Sequence, residues 1–280
     1  MAENETANSA RKQKMSGLAD DFRQSFVVAK NEINKFFHGK KMFLFAAITA
    51  FVLVIVAIVF AVYVEDPQPN NICGIYASFA YLLILMAATL FSATSIASEY
   101  EERTALILFV RPVRRSSIYF GKFLASVIVI TAYMIVYYVI AALVSIVLGG
   151  SVPGNFWVSL CLSLCYMIAA VGIALLLSSF FKKSSTASIM TFITLLLIIS
   201  LITSMLILAG LDGAYETWFM LDTAANDIYS SISGVVSTYD VDAGTYVDTE
   251  VQPFRSAAVM IVWGIAGWIA GYILFKRREF

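Results

Sequence analysis

Six long apolar runs limit what this chain can become. They fall at roughly Met42 to Val64, Ile72 to Ala97, Ile118 to Leu148, Phe156 to Phe181, Thr186 to Gly210 and Ser256 to Phe275. About 20 helical residues cross the ~30 Å of bilayer hydrocarbon, and each run reaches that length. The third exceeds it, so it tilts or extends past the hydrocarbon. With 60% hydrophobic and 14% charged residues, the chain reads as an all-α polytopic membrane protein with six transmembrane helices. The first run follows a charged leader reaching Lys41, too long for the basic region of a secretory signal, and is expected to be retained as a span.

The charges are sorted along the chain, although the formal net charge is zero. Arg255 alone, of 19 basic residues, falls on one side of the six-span layout; every other Lys and Arg falls on the opposite side. By the positive-inside rule that basic side is cytoplasmic and both termini lie there. The loops assigned to the other side are acidic or uncharged. The longest, residues 211–255, carries Asp212, Glu216, Asp222, Asp227, Asp240, Asp242, Asp248 and Glu250. Within it, Tyr215, Trp218, Phe219, Asp222, Ala225, Ile228, Tyr229 and Ile232 form a mostly apolar helical stripe, expected to lie on the membrane surface. Two alternating segments around Asp242-Ala243-Gly244 suggest a hairpin.

At the other end of the chain, residues 1–15 are polar and without period, as in a disordered tail. Across 16–39, Leu18, Phe22, Phe26, Ala29, Ile33 and Phe37 recur at steps of three or four, with basic residues between them. This is the pattern of an amphipathic helix in the plane of the membrane interface. Residues 40–280 then form the six-span domain.

Between spans two and three, Ser98 to Lys122 is a charged island that cannot sit in hydrocarbon. Ser98 and Glu101 have capping-box spacing, which predicts a helix starting there. Glu99, Glu101 and Glu102 would oppose its dipole. Ala105 to Val110 follows, and Arg111 before Pro112 ends the element.

This string resembles the cytoplasmic segment between the second and third spans of ABC-2 type permeases, the membrane subunits of one class of ABC transporter. Glu99-Tyr100-Glu101, Thr104, Arg111-Pro112-Val113, Arg115 and Gly121-Lys122 match the family pattern. Arg103 stands where relatives usually have glycine. The resemblance implies a coupling segment over 98–117 that meets a separate ATPase. Its candidate contacts are Glu99, Tyr100, Glu101, Arg103, Thr104, Leu106, Phe109, Arg111, Pro112 and Arg115, with the apolar side of 105–110 in a groove and the charges at its rim. It also implies two permeases, identical or homologous, serving two ATPase subunits in the cell membrane. A subgroup with the same N-terminal interfacial helix includes copper-site maturation, sodium-extrusion and antimicrobial-peptide resistance systems.

The residues themselves agree with an accessory energy source. Both Gly-Lys pairs, at Gly39 and Gly121, lack the preceding glycine spacing of a phosphate-binding loop. Span cores lack the ionisable relays of ion-coupled transporters. The chain is therefore expected to be a transport subunit without enzyme activity, cofactor or nucleic-acid partner. The competing class is a non-transporting membrane scaffold or sensor that uses the same surface to hold a partner. Cys161 and Cys165 share a helix face and would suit a soft metal, but they read better as packing residues. The acidic loop fails calcium-loop spacing. Gly264, Gly267 and Gly271 form a small-residue stripe suited to close helix packing, within the chain or with a second protomer.

Overall fold

The computed structural model describes residues 22–101, 115–208, 217–240 and 245–277. A helix over 22–38 (α1) precedes six helices long and apolar enough to span a bilayer: α2 (Lys40–Tyr63), α3 (Pro69–Glu101), α4 (Arg115–Gly149), α5 (Phe156–Phe180), α6 (Ser184–Leu208) and, after an insertion, α8 (Pro253–Arg277). The insertion holds α7 (Leu221–Ser233), β1 (Val235–Asp240) and β2 (Thr245–Glu250). The strands pair antiparallel from Val235 opposite Glu250 to Asp240 opposite Thr245. Gly234, at φ +80°, takes the left-handed turn between α7 and β1, and its N–H bonds Ser230 O. A side chain there would be strained.

The centre of the bundle is α3 and α5. In each, 61% of the apolar window is buried, against 28% for α2 and 22% for α6. The exposed walls of α2 and α6 are aliphatic and aromatic, as lipid-facing surfaces must be. Helix α8 lies against α5 along its glycines. A Cβ on Gly264 would stand 3.0 Å from Ala169 N, and one on Gly267 3.0 Å from Gly172 C. A Cβ on Gly172 would meet the Gly264 carbonyl, and one on Gly271 would meet the Tyr119 hydroxyl and stand 2.9 Å from Leu176 Cα. The small-residue stripe thus meets a helix of its own chain, where dispersion contacts replace the absent hydrophobic drive between helices in lipid.

Two π-helical turns interrupt the spans, Ala88–Ser92 in α3 and Thr194–Ile198 in α6. Such turns shift the backbone ladder and leave polar groups to be satisfied elsewhere. Serines from neighbouring spans do this. Ser178 of α5 accepts from the N–H groups of Ile96 and Ala97 at 3.2 and 3.1 Å, and Ser188 of α6 donates to Thr89 O at 3.3 Å. Helix α3 continues through its π turn to Glu101, so Ser98 lies inside a helix and does not cap a new one.

The two helices outside the spans depart from the pattern of their apolar residues. In α1 the face turned to the bundle is Ser25, Ala29, Glu32 and Phe36, while Phe22, Phe26 and Phe37 are 58%, 61% and 55% exposed. In the insertion, α7 does not lie free on a surface. Its Leu221, Ala224, Ala225, Ile228 and Ile232 are buried where it packs on α3, α5 and α8. Ser159 of α5 donates to Ile228 O at 2.5 Å, Trp263 of α8 donates to Phe219 O at 2.9 Å, and Ser256 bonds the Asp227 carboxylate.

Candidate functional site at the basic end of the bundle

The end of α3 and the start of α4, which precede and follow residues 102–114 in sequence, meet the start of α6 and the end of α8 at one end of the molecule, beneath α1. This end carries the basic residues, among them Lys40, Lys41, Arg115, Lys182, Lys183, Lys276 and Arg277. At its centre is Lys122, about two turns into α4 and only 1% exposed. Its ammonium has three N–H donors, and three acceptors surround it. Glu32 Oε1 of α1 lies at 3.0 Å, Glu99 Oε1 of α3 at 2.7 Å, and the Ser95 carbonyl of α3 at 2.7 Å. Both carboxylates are largely buried, with side chains 10% and 13% exposed.

The neighbouring residue makes this arrangement possible. A Cβ on Gly121 would stand 2.8 Å from Ser25 O and 2.8 Å from Val28 Cβ. Only glycine lets α1 cross α4 this closely, and the closeness brings Glu32 to the ammonium. Aromatic edges continue the same contact: Phe22 meets Phe120 with centroids 6.1 Å apart, and Phe36 meets Phe91 at 5.2 Å. Burying an ion costs several kcal/mol unless it is paired and hydrogen-bonded. Here one cation serves two anions, so the lysine is the group the others cannot do without.

Two further contacts tie the residues flanking 102–114 to other spans, and a third joins α2 to α3. Glu101 Oε2 accepts from the Ser184 N–H at 3.0 Å, placing a carboxylate at the first turn of α6, where the helix dipole favours it. Arg115 Nη1 donates to Lys276 O at 3.2 Å in the last turn of α8. Lys41, at the start of α2, donates to Thr94 of α3 at 2.9 Å.

The sequence-derived candidates therefore separate. Glu99 does not form a solvated rim; it turns inward to Lys122. Glu101 turns to α6, Tyr100 packs against the core, and Arg115 reaches α8. Arg103, Thr104, Leu106, Phe109, Arg111 and Pro112 lie outside the described residues. Gly264, Gly267 and Gly271 belong to the α5–α8 seam. Cys161 is exposed and Cys165 half-exposed, and no group of three metal-ligating side chains occurs among the described residues. Sequence reasoning assigned Lys122 to the solvated island and passed over Glu32. A signal was present: Ser25, Ala29, Glu32 and Phe36 follow helical spacing, so an acid shares a face with residues suited to burial.

The family described as "ABC-2 family transporter protein" matches residues 2–280. A Bacillus subtilis (strain 168) protein described as "Uncharacterized membrane protein YdbK" is 22% identical over 213 residues, which is 70% of this chain and 78% of that protein.

Proposed function

Since the chain belongs to the ABC-2 family of transporter proteins, and is thus a multi-pass membrane subunit of an ABC transporter, we propose that it couples ATP hydrolysis in a separate ATPase chain to substrate export. In this reading the basic end faces the cytoplasm of the cell and both termini lie there, in keeping with the distribution of Lys and Arg. Two permease chains, identical or homologous, work with two ATPase subunits. The docking surface is the segment 98–117, with Arg103, Thr104, Leu106, Phe109, Arg111 and Pro112 as its contacts.

The observation that carries the reading is that both flanks of 102–114 are fastened to other spans. Glu99 holds α4, Glu101 holds α6 and Arg115 holds α8. A displacement of this segment would reach four of the six spans without an intermediate element. Closure of an ATPase dimer supplies such a displacement, and a permease without a phosphate-binding loop needs one from outside.

The test is co-expression of the tagged chain with candidate ABC ATPases from the same genome, followed by co-purification and ATP hydrolysis in liposomes. The wild-type chain is expected to retain the ATPase and stimulate it, and Arg103→Glu with Arg111→Glu to weaken both. A wild-type chain that retains no ATPase would overturn the proposal in favour of a scaffold or sensor.

A further inference from the structure

The buried ammonium at Lys122 joins three elements, α1 through Glu32, α3 through Glu99 and the Ser95 carbonyl, and α4, which carries it. The apolar part of the contact between α1 and the bundle is modest: Ala29 and Phe36 are its buried hydrophobic residues, Ile33 is partly buried and Phe22 touches Phe120, while Phe26 and Phe37 are largely exposed. Glu32 and the close crossing at Gly121 therefore determine where α1 sits. The same ammonium binds Glu99 and the Ser95 carbonyl, in the last turns of α3 that lead directly into residues 102–114.

We propose that Lys122 is a positioning residue that makes α1 a moving part of energy coupling, by fastening it together with the end of α3 to α4 so that the three shift as one body. This rests on the ATP-coupled reading above. It adds that the interfacial helix is driven by the ATPase rather than resting passively in the headgroups. The exposed phenyl rings of Phe26 and Phe37 would then carry that motion into the surrounding lipid.

The geometry favours a rigid connection over a loose one. All three N–H donors of the ammonium are occupied, from three directions, by acceptors on α1 and α3, so no single rotation of the lysine side chain preserves the set. Removing the lysine leaves Glu32 and Glu99 facing each other with no cation. Replacing all three ions by apolar side chains of similar volume leaves no buried charge, and such replacements are often neutral or stabilising. The triple variant Glu32→Met, Glu99→Met and Lys122→Met thus separates assembly from coupling, where Lys122→Met alone could simply fail to fold.

The experiment uses the full permease–ATPase complex in liposomes, with Cys73, Cys161 and Cys165 replaced by alanine and spin labels at Lys30→Cys on α1 and Ser116→Cys on α4. In the otherwise wild-type complex the label distance should be the same without nucleotide and with ATP plus vanadate. The triple variant should assemble, lose roughly tenfold of the stimulated ATP hydrolysis, and show a label distance that changes with nucleotide. Lys122→Arg, which keeps the charge, should restore part of the stimulation. A triple variant that assembles, stimulates fully and keeps a constant distance would overturn the proposal while leaving the ATP-coupled reading intact. A wild-type distance that changes with nucleotide would overturn it as well. A wild-type chain that binds no ATPase would sink both.

Discussion

At the basic end α1 is held by one ammonium shared between two carboxylates and a carbonyl, whereas at the acidic end α7 is held by apolar burial, hydroxyl bonds and an indole donor. Both helices lie outside the spans and close over one end of the bundle. The apolar joint of α7 spreads its energy over Leu221, Ala224, Ala225, Ile228 and Ile232, so each residue bears a part. The ionic joint of α1 concentrates its energy at one atom. Interfaces of the first kind lose stability by increments, while those of the second kind hold or fail together.

That contrast is broken most forcefully at its two centres. Lys122→Ala leaves two buried carboxylates without a cation and is expected to destabilise the fold by ~3–5 kcal/mol. The failure should begin at α1: limited trypsin digestion should cut at Lys30 and Lys35 while the rest of the chain stays intact. Ile228→Ala, at a fully buried position of α7, removes three carbons and should cost ~2–5 kcal/mol. Here the digestion site to follow is Arg255, and α1 should stay protected. If Lys122→Ala exposed both regions equally, the two ends would not be the independent units this comparison makes them.

A smaller effect tests the crossing rather than the charge. Gly121→Val places a branched side chain where a Cβ already approaches Ser25 O and Val28 to 2.8 Å. Overpacking of this kind costs ~1–3 kcal/mol, and α1 is the element free to yield. The expected signature is trypsin sensitivity at Lys30 with a nearly unchanged melting midpoint for the spans. A protected α1 in Gly121→Val would mean that the ion cluster alone decides its place.

Much of this architecture was legible in the residues. Apolar run length gave six helices, because hydrocarbon thickness leaves little choice. The hairpin followed from alternation around a turn-forming Asp-Ala-Gly. The site was less legible, and Lys122 shows why. A lysine five residues past a serine pair, in a stretch with Arg111, Arg114 and Arg115, has the composition of a solvated surface. Its burial depends on Glu32 and Glu99, 90 and 23 positions away, and no periodicity links them. The inward turn of Glu99 was hidden for the same reason, since a carboxylate's partner is chosen by tertiary contact. The serine bonds at the π turn of α3 were equally hidden: Ser178 lies in an apolar run like any small packing residue, and only the shifted backbone of α3 gives it two donors.

The gentlest test asks whether the acidic end is as free of working charge as the comparison implies. Asp227 is buried in α7, and burial pushes its carboxyl above the ordinary carboxylate range, opposed by the hydrogen bond from Ser256 and by the Arg255 guanidinium. Asp222, in the same helix, is raised by burial too, opposed by Ser200. A carboxyl raised in the folded state binds its proton more tightly there than in the unfolded chain. Its contribution is therefore fully present below the ordinary carboxylate range and is lost as pH rises through the raised value. Asp227→Asn keeps an oxygen that can accept from Ser256 and removes the titration. The wild-type melting midpoint, taken relative to this variant, should fall as pH rises from the carboxylate range towards neutrality, and the variant should be no less stable than wild type at neutral pH. A variant markedly less stable at neutral pH would mean that ionised Asp227 holds α7 through Arg255. The acidic end would then depend on a charge pair, as the basic end does.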